Sequence, residues 1–263
     1  MLQTFLIAAG GTFAALLLMA GVLHLIPKLG LRALSDALCR APLLDLPITY
    51  FTVLPLIMGP IVGGWMGLAG AVAGQVASVL VWGWLHELAN LKAASGPRIV
   101  KQLNRTVGRF RNHGAVWLTA LVVPMFWVVR VAEVFVWPPI ALLVRFPRYR
   151  SSEWVTVSRH KFEGLVGHDL IWCLYCDWMT GVWSLGTEML RNVESFWCPI
   201  RFYDGKKCDN CSIDFPDVNG GWVRADGSMA EVTATLGKHY PPGAKVNAWF
   251  GHAARLTVEG KEV

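Results

Sequence analysis

Formal charge is missing from long parts of this sequence. Leu2–Ile26 is 25 residues without Asp, Glu, Lys or Arg, and Leu46–His86 is another 41. Such runs exclude a water-facing amphipathic helix, which needs a charged face. They match or exceed the roughly 20 apolar residues that cross a bilayer core. No Lys or Arg precedes Lys28. A cleavable secretory signal opens with basic residues and has a shorter apolar core, so the first run reads as a retained membrane helix. Acids are scarce in residues 1–150, with 4 Asp/Glu against 13 Lys/Arg, a net of +9, whereas residues 151–263 carry 14 against 11, a net of −3. The basic residues flank the apolar runs, so their partner is an anionic lipid surface rather than nucleic acid. There is no G-x-x-x-x-G-K-[ST], no G-x-S-x-G and no H-E-x-x-H. This excludes those three signatures as the source of an activity.

The apolar first part divides into spans at about 2–26, 46–60 and 64–88, with a fourth apolar stretch at 115–144. Pro47, Pro55, Pro60 and Gly63-Gly64 put a bend and then a turn into the middle pair, because proline removes a backbone donor. Gly63, Gly67, Gly70 and Gly74 favour close packing inside this hairpin over a dimer interface. Between the spans, Lys101, Arg105 and Arg109 share one helical face, with Val100, Leu103 and Val107 as a partial apolar face. That pattern fits a helix on an anionic membrane surface. Arg130 and Glu133 interrupt the fourth stretch three residues apart and can pair. Pro138-Pro139 and basic residues at both ends favour a re-entrant hairpin there, with one tilted crossing as the alternative. His24, at the end of the first run, reads as an interfacial histidine rather than a haem ligand.

Residues 151–263 suggest a small α+β soluble domain. The stretch 168–197 reads as a Trp- and Cys-rich helix, with Ile171, Tyr175, Trp178, Val182, Leu185 and Met189 as one apolar stripe. Trp172, Met179, Trp183 and Leu190 make a second. Residues 198–216 read as a knuckle, and 221–262 as a β-sheet in which "MAEVTATL", "KVNAWF" and "RLTVEGKEV" are strands. Cys208-x-x-Cys211 resembles the metal-binding knuckle of zinc ribbons. Together with Cys173-x-x-Cys176 it makes a four-cysteine pattern, to which Cys198, His160 or His168 can add. Zinc suits that pattern best, and iron or an iron–sulfur cluster is the alternative.

The expected protein is therefore a mainly α integral membrane protein of the bacterial inner-membrane type. It has a membrane part, 1–150, and a zinc-ribbon-like soluble part, 151–263, on the cytoplasmic side. The function that follows is an accessory or assembly subunit with a protein partner in a membrane complex and no nucleic acid. The alternatives are electron transfer at an iron–thiolate centre and transport through Arg130 and Glu133.

Overall fold

A computed structural model describes residues 1–215, 217–249 and 258–259. The chain forms two compact units, each assembled from two stretches. The first contains residues 1–125 and 155–181, and the second 126–154 and 182–263.

In the first unit, α1 (Leu2–Lys28) and α3 (Asp45–Ala89) are joined through the short α2 (Arg32–Leu38). The long α3 is a helical hairpin. It breaks at Gly63 and Gly64, and Gly64 has φ +54°, a backbone state that glycine adopts without strain. The arms run antiparallel, since Gln75 Nε2 donates to the carbonyls of Phe51 (2.8 Å) and Thr52 (3.0 Å). A Cβ on Gly67 would lie 2.1 Å from the Gly59 carbonyl oxygen, so only hydrogen fits at that crossing. On its other side the second arm meets α1, with Gly70 against Phe5 and Ala8, and Gly74 against Ala9 and Thr12. The expected small-residue packing is thus spent within the chain. Thr4 lies at Gly63 and His24 at His86, so α1 and the second arm run parallel. The N-terminus and hairpin tip share one end of this bundle.

After α4 (Leu91–Ser95) comes α5 (Ile99–Val107), and Gly108 at φ +88° separates it from α6 (Arg109–Thr119). Arg109 therefore opens a new helix instead of continuing the basic face of Lys101 and Arg105. Arg109–Val144 then runs as one helical path of 36 residues. It passes through α7 (Val123–Val131), a widened π turn at Ala132–Val136 and α8 (Trp137–Val144). Pro138 and Pro139 fall in the first turn of α8, where a missing backbone donor costs little. The π turn just before them makes room for the proline rings without breaking the path. Among the described residues three helices, α1, α3 and Arg109–Val144, are thus long and apolar enough to cross a membrane.

The short α9 (Ser151–Trp154) is a single helical turn; after it the Val155 carbonyl accepts the Ala41 amide and the Val157 amide donates to the Cys39 carbonyl, both at 2.9 Å. The helix α10 (Gly167–Trp197) gives its first half to the first unit and its second half to the second. Of its first expected stripe, Trp178, Val182, Leu185 and Met189 are buried, while Ile171 and Tyr175 are only partly so. In the second unit α11 (Gly205–Asp214) and α12 (Asp217–Gly221) build a small core of Cys211, Phe215, Val218 and Trp222, and the Arg191 guanidinium lies 4.1 Å from the Phe215 ring centre.

The α+β expectation is corrected here. Among the described residues the only sheet is a two-residue antiparallel pair, β1 (Arg148–Tyr149) with β2 (Val258–Glu259). "MAEVTATL" lies in α13 (Met229–His239), not in a strand. Ser228 and Glu231 form a reciprocal capping box at its start. Its inward residues, Val232, Thr235, Leu236 and His239, follow a helical period, while Ala230 and Ala234 of the apparent alternation are exposed. Of the other two expected strands, 245–249 is irregular, and the last lies outside the described residues apart from β2.

Substitution separates the glycines that touch from those that do not. Gly67→Ala should destabilise the protein in detergent by about 1–3 kcal/mol through overpacking. Gly21→Ala, where nothing lies within 4 Å, should leave it unchanged or slightly more stable. Thermal unfolding followed by tryptophan fluorescence reads both, and equal midpoints would remove the close-approach argument.

Candidate functional site

The best-built polar site lies in the first unit, where the end of α3 meets the starts of α5 and α10. Arg98 precedes α5 and is almost wholly buried. Its Nε donates to Asp169 Oδ2 at 2.7 Å, and its Nη2 donates to Glu87 Oε1 at 2.8 Å and to the Val166 carbonyl at 3.1 Å. Each carboxylate has a second task. Asp169 Oδ1 accepts the Val100 amide at 3.0 Å and so caps α5, for which no neighbouring side chain does so. Glu87 Oε1 accepts the His168 amide at 3.2 Å and caps α10. The open amides of a helix start need such acceptors.

Gly167 is what lets Glu87 approach. It has φ +55°, and a Cβ there would lie 2.2 Å from Glu87 Cγ. Its amide donates to His86 Nδ1 at 3.1 Å. Four histidines gather around the node. His86 stacks on Trp82 and stands edge-on to His24, and His168 is edge-on to His113. His168 Nε2 accepts the Trp172 indole proton at 3.1 Å, which leaves the neutral ring's own proton on Nδ1, 3.9 Å from Asp169 Oδ1. Burial pushes the Asp169 carboxyl up, but the His168 ring beside it and the hydrogen bonds from Arg98 and the Val100 amide outweigh that and hold it below the ordinary carboxylate value. Arg98 is moved further towards its charged form, burial being outweighed by its bonds to Glu87 and Asp169.

The cysteines do not form the expected site, and the zinc-ribbon-like reading is corrected. Among the described residues no three His, Cys, Asp or Glu side chains gather closely enough to hold a metal ion. Cys208 and Cys211 are not in a knuckle. Asp204 caps α11 by accepting the Lys207 amide at 2.7 Å, so both thiols are buried one turn apart on a helix. Cys211 belongs to the apolar core with Phe215 and Trp222. On α10, Cys173 and Cys176 face Arg159 of the turn before the helix, and Cys198 is exposed just beyond its end. Burial pushes the Cys173 and Cys211 thiols up, towards the protonated form. His168, the extra ligand considered, spends Nε2 on Trp172, and His160 is among the turn residues after Val157.

Arg130 and Glu133 do come together, Nη1 to Oε2 at 2.7 Å, with both side chains almost wholly buried in the second unit. Glu133 stands on the π turn, and Gly186 of α10 packs against it and Val129. The Glu87–Arg98–Asp169 node was not read from the sequence. One signal was present: Glu87 is the first acid after the long uncharged run, and Asp169 stands where acids cap helices. Their meeting across some eighty residues is set by tertiary structure. No family model, no curated protein and no solved structure matches the chain.

Asp169→Asn keeps the shape but removes the charge facing Arg98, and should cost about 3–5 kcal/mol, the range for breaking a buried pair. The pH dependence follows from the lowered carboxyl. Its stabilisation is complete above the unfolded aspartate value of about 4 and is lost as pH falls through the lower folded value. Thermal midpoints of the wild type should hold between about pH 5 and 8 and fall below about pH 4, with a smaller fall in Asp169→Asn. An identical acid profile in the two proteins would remove Asp169 from the account.

Proposed function

We propose that this chain is a membrane-embedded accessory subunit whose α10 helix docks on a protein partner within a membrane complex. One observation carries the reading. Trp183, Leu190 and Trp197 stand seven residues apart on α10, and each leaves more than half of its surface exposed. A stripe of aromatic and aliphatic residues at that spacing is one continuous helical face. Faces of this kind fill apolar grooves on partners, and tryptophans dominate such contacts. The parallel course of α1 and the second α3 arm supports an orientation in which Lys28, Arg32 and Arg40 lie on the cytoplasmic side, following the bias of basic loops.

Trp183→Ser with Leu190→Ser should weaken the complex about 30-fold or more, the scale of losing a central contact. The measurement is the mass of the particle carrying the chain after mild solubilisation, with circular dichroism confirming that α10 persists. An unchanged mass would defeat the reading. So would strong quenching of the stripe by brominated lipids, which would assign that face to the bilayer.

A second reading, transport or proton passage at Arg130 and Glu133, is favoured by their burial as a pair on a π turn within an apolar candidate span. Arg130→Met with Glu133→Gln removes both charges and leaves neither ion alone. In reconstituted vesicles this double variant should lose any ion or proton flux that the wild type supports, and equal flux in both would end this reading.

A further inference from the structure

We propose that α5 and the start of α6 form a platform that binds the anionic phospholipid surface of the bilayer. The platform uses none of the residues of the exposed α10 stripe and does not depend on the docking reading. Ile99, Leu103 and Val107 recur every four residues along α5, and among the described residues they stay about half exposed. Lys101 and Arg105 occupy the opposite face, and Phe110, 91% exposed, follows the Gly108 turn between Arg109 and Arg111. An apolar face backed by a basic one is the pattern of a helix lying in the headgroup layer.

Three further observations name lipid as the occupant. The candidate spans end at Ala89 and begin again at Arg109, so continuity keeps 90–108 near the level where spans enter and leave. The exposed charges in this stretch and its flanks, Lys92, Lys101, Arg105, Arg109 and Arg111, are all positive, which complements anionic headgroups. The geometry is also fixed in advance. Asp169 holds the first turn of α5, and Asn112 Nδ2 donates to Asn104 Oδ1 at 2.9 Å, clamping α6 onto α5 across the turn. Lys101 Nζ donates to the Ala94 carbonyl at 2.9 Å and caps α4, so within 99–111 the cations left to reach phosphate are Arg105, Arg109 and Arg111.

The test uses the full chain in nanodiscs with zwitterionic lipid or with a mixture rich in anionic lipid. Hydrogen exchange of the peptide 99–111 is followed by mass spectrometry. The amides of 103–110 should exchange about tenfold or more slowly on the anionic surface. Arg105→Gln/Arg109→Gln/Arg111→Gln should abolish that difference, and Leu103→Ser should reduce it. The Val100 amide, held by Asp169, reports whether each variant keeps its fold. Equal exchange on the two surfaces would overturn the proposal. Slowing that survives the arginine changes, appears with inorganic phosphate on zwitterionic discs, or requires two copies per disc would do so equally.

Discussion

Arg98 is a permanent cation with almost no access to water, and the first unit is organised around that fact. A guanidinium in such a place needs its donors satisfied and its charge balanced. Glu87 and Asp169 supply both, but two acids against one base leave a negative charge over. The start of α10 faces Glu87 and the start of α5 faces Asp169, and the positive ends of two helix dipoles offset that excess. The node is therefore three charges and two helix ends acting together. An apolar replacement of the three residues would remove the ions but strand the Val100 and His168 amides without their present acceptors. This is why a buried ion cluster, often neutral in its net effect, is structural here.

How far the sequence could be read follows from the range of each interaction. The uncharged runs, the break at Gly63-Gly64 and the packing of Gly67, Gly70 and Gly74 are local or nearly so, and the pattern of residues carries them. So does the buried stripe from Trp178 to Met189. The node was illegible because Glu87, Arg98 and Asp169 are separated by long intervals, and each alone resembles an ordinary charge beside a span. The π turn hid for another reason. Pro138-Pro139 announces a disturbance in a helix, yet a widened turn before it absorbs the disturbance that was expected to end the helix.

The cysteine and strand expectations failed on periodicity. A Cys-x-x-Cys spacing serves a metal knuckle, but it equally places two thiols one turn apart on a helix. Asp204 decides for the helix by capping α11, and Cys211 then packs against Phe215 and Trp222 as a small apolar residue does. In 229–239 the apparent alternation contains Val232 and Leu236 four apart. The Ser228–Glu231 box fixes the helical start, and that spacing becomes its inward face. In both places a capping side chain just upstream outweighed the pattern that followed it.

The faces of α10 give the function its direction. Glu188, Asn192 and Ser195 lie four and then three residues apart, wholly buried, and Ser195 accepts the Trp222 indole proton at 3.0 Å. Trp183, Leu190 and Trp197 lie on the opposite side and are exposed. An ordinary surface helix in water has the reverse arrangement, with its polar face outward and its apolar face inward. Keeping polar groups inside costs free energy unless they are bonded there, and presenting two tryptophans outward costs more if the outside is water. Both costs fall when the outer face meets an apolar surface. The arrangement is thus consistent with a helix selected for a non-aqueous neighbour, and the seven-residue spacing of its exposed side chains suits the groove of a second helix.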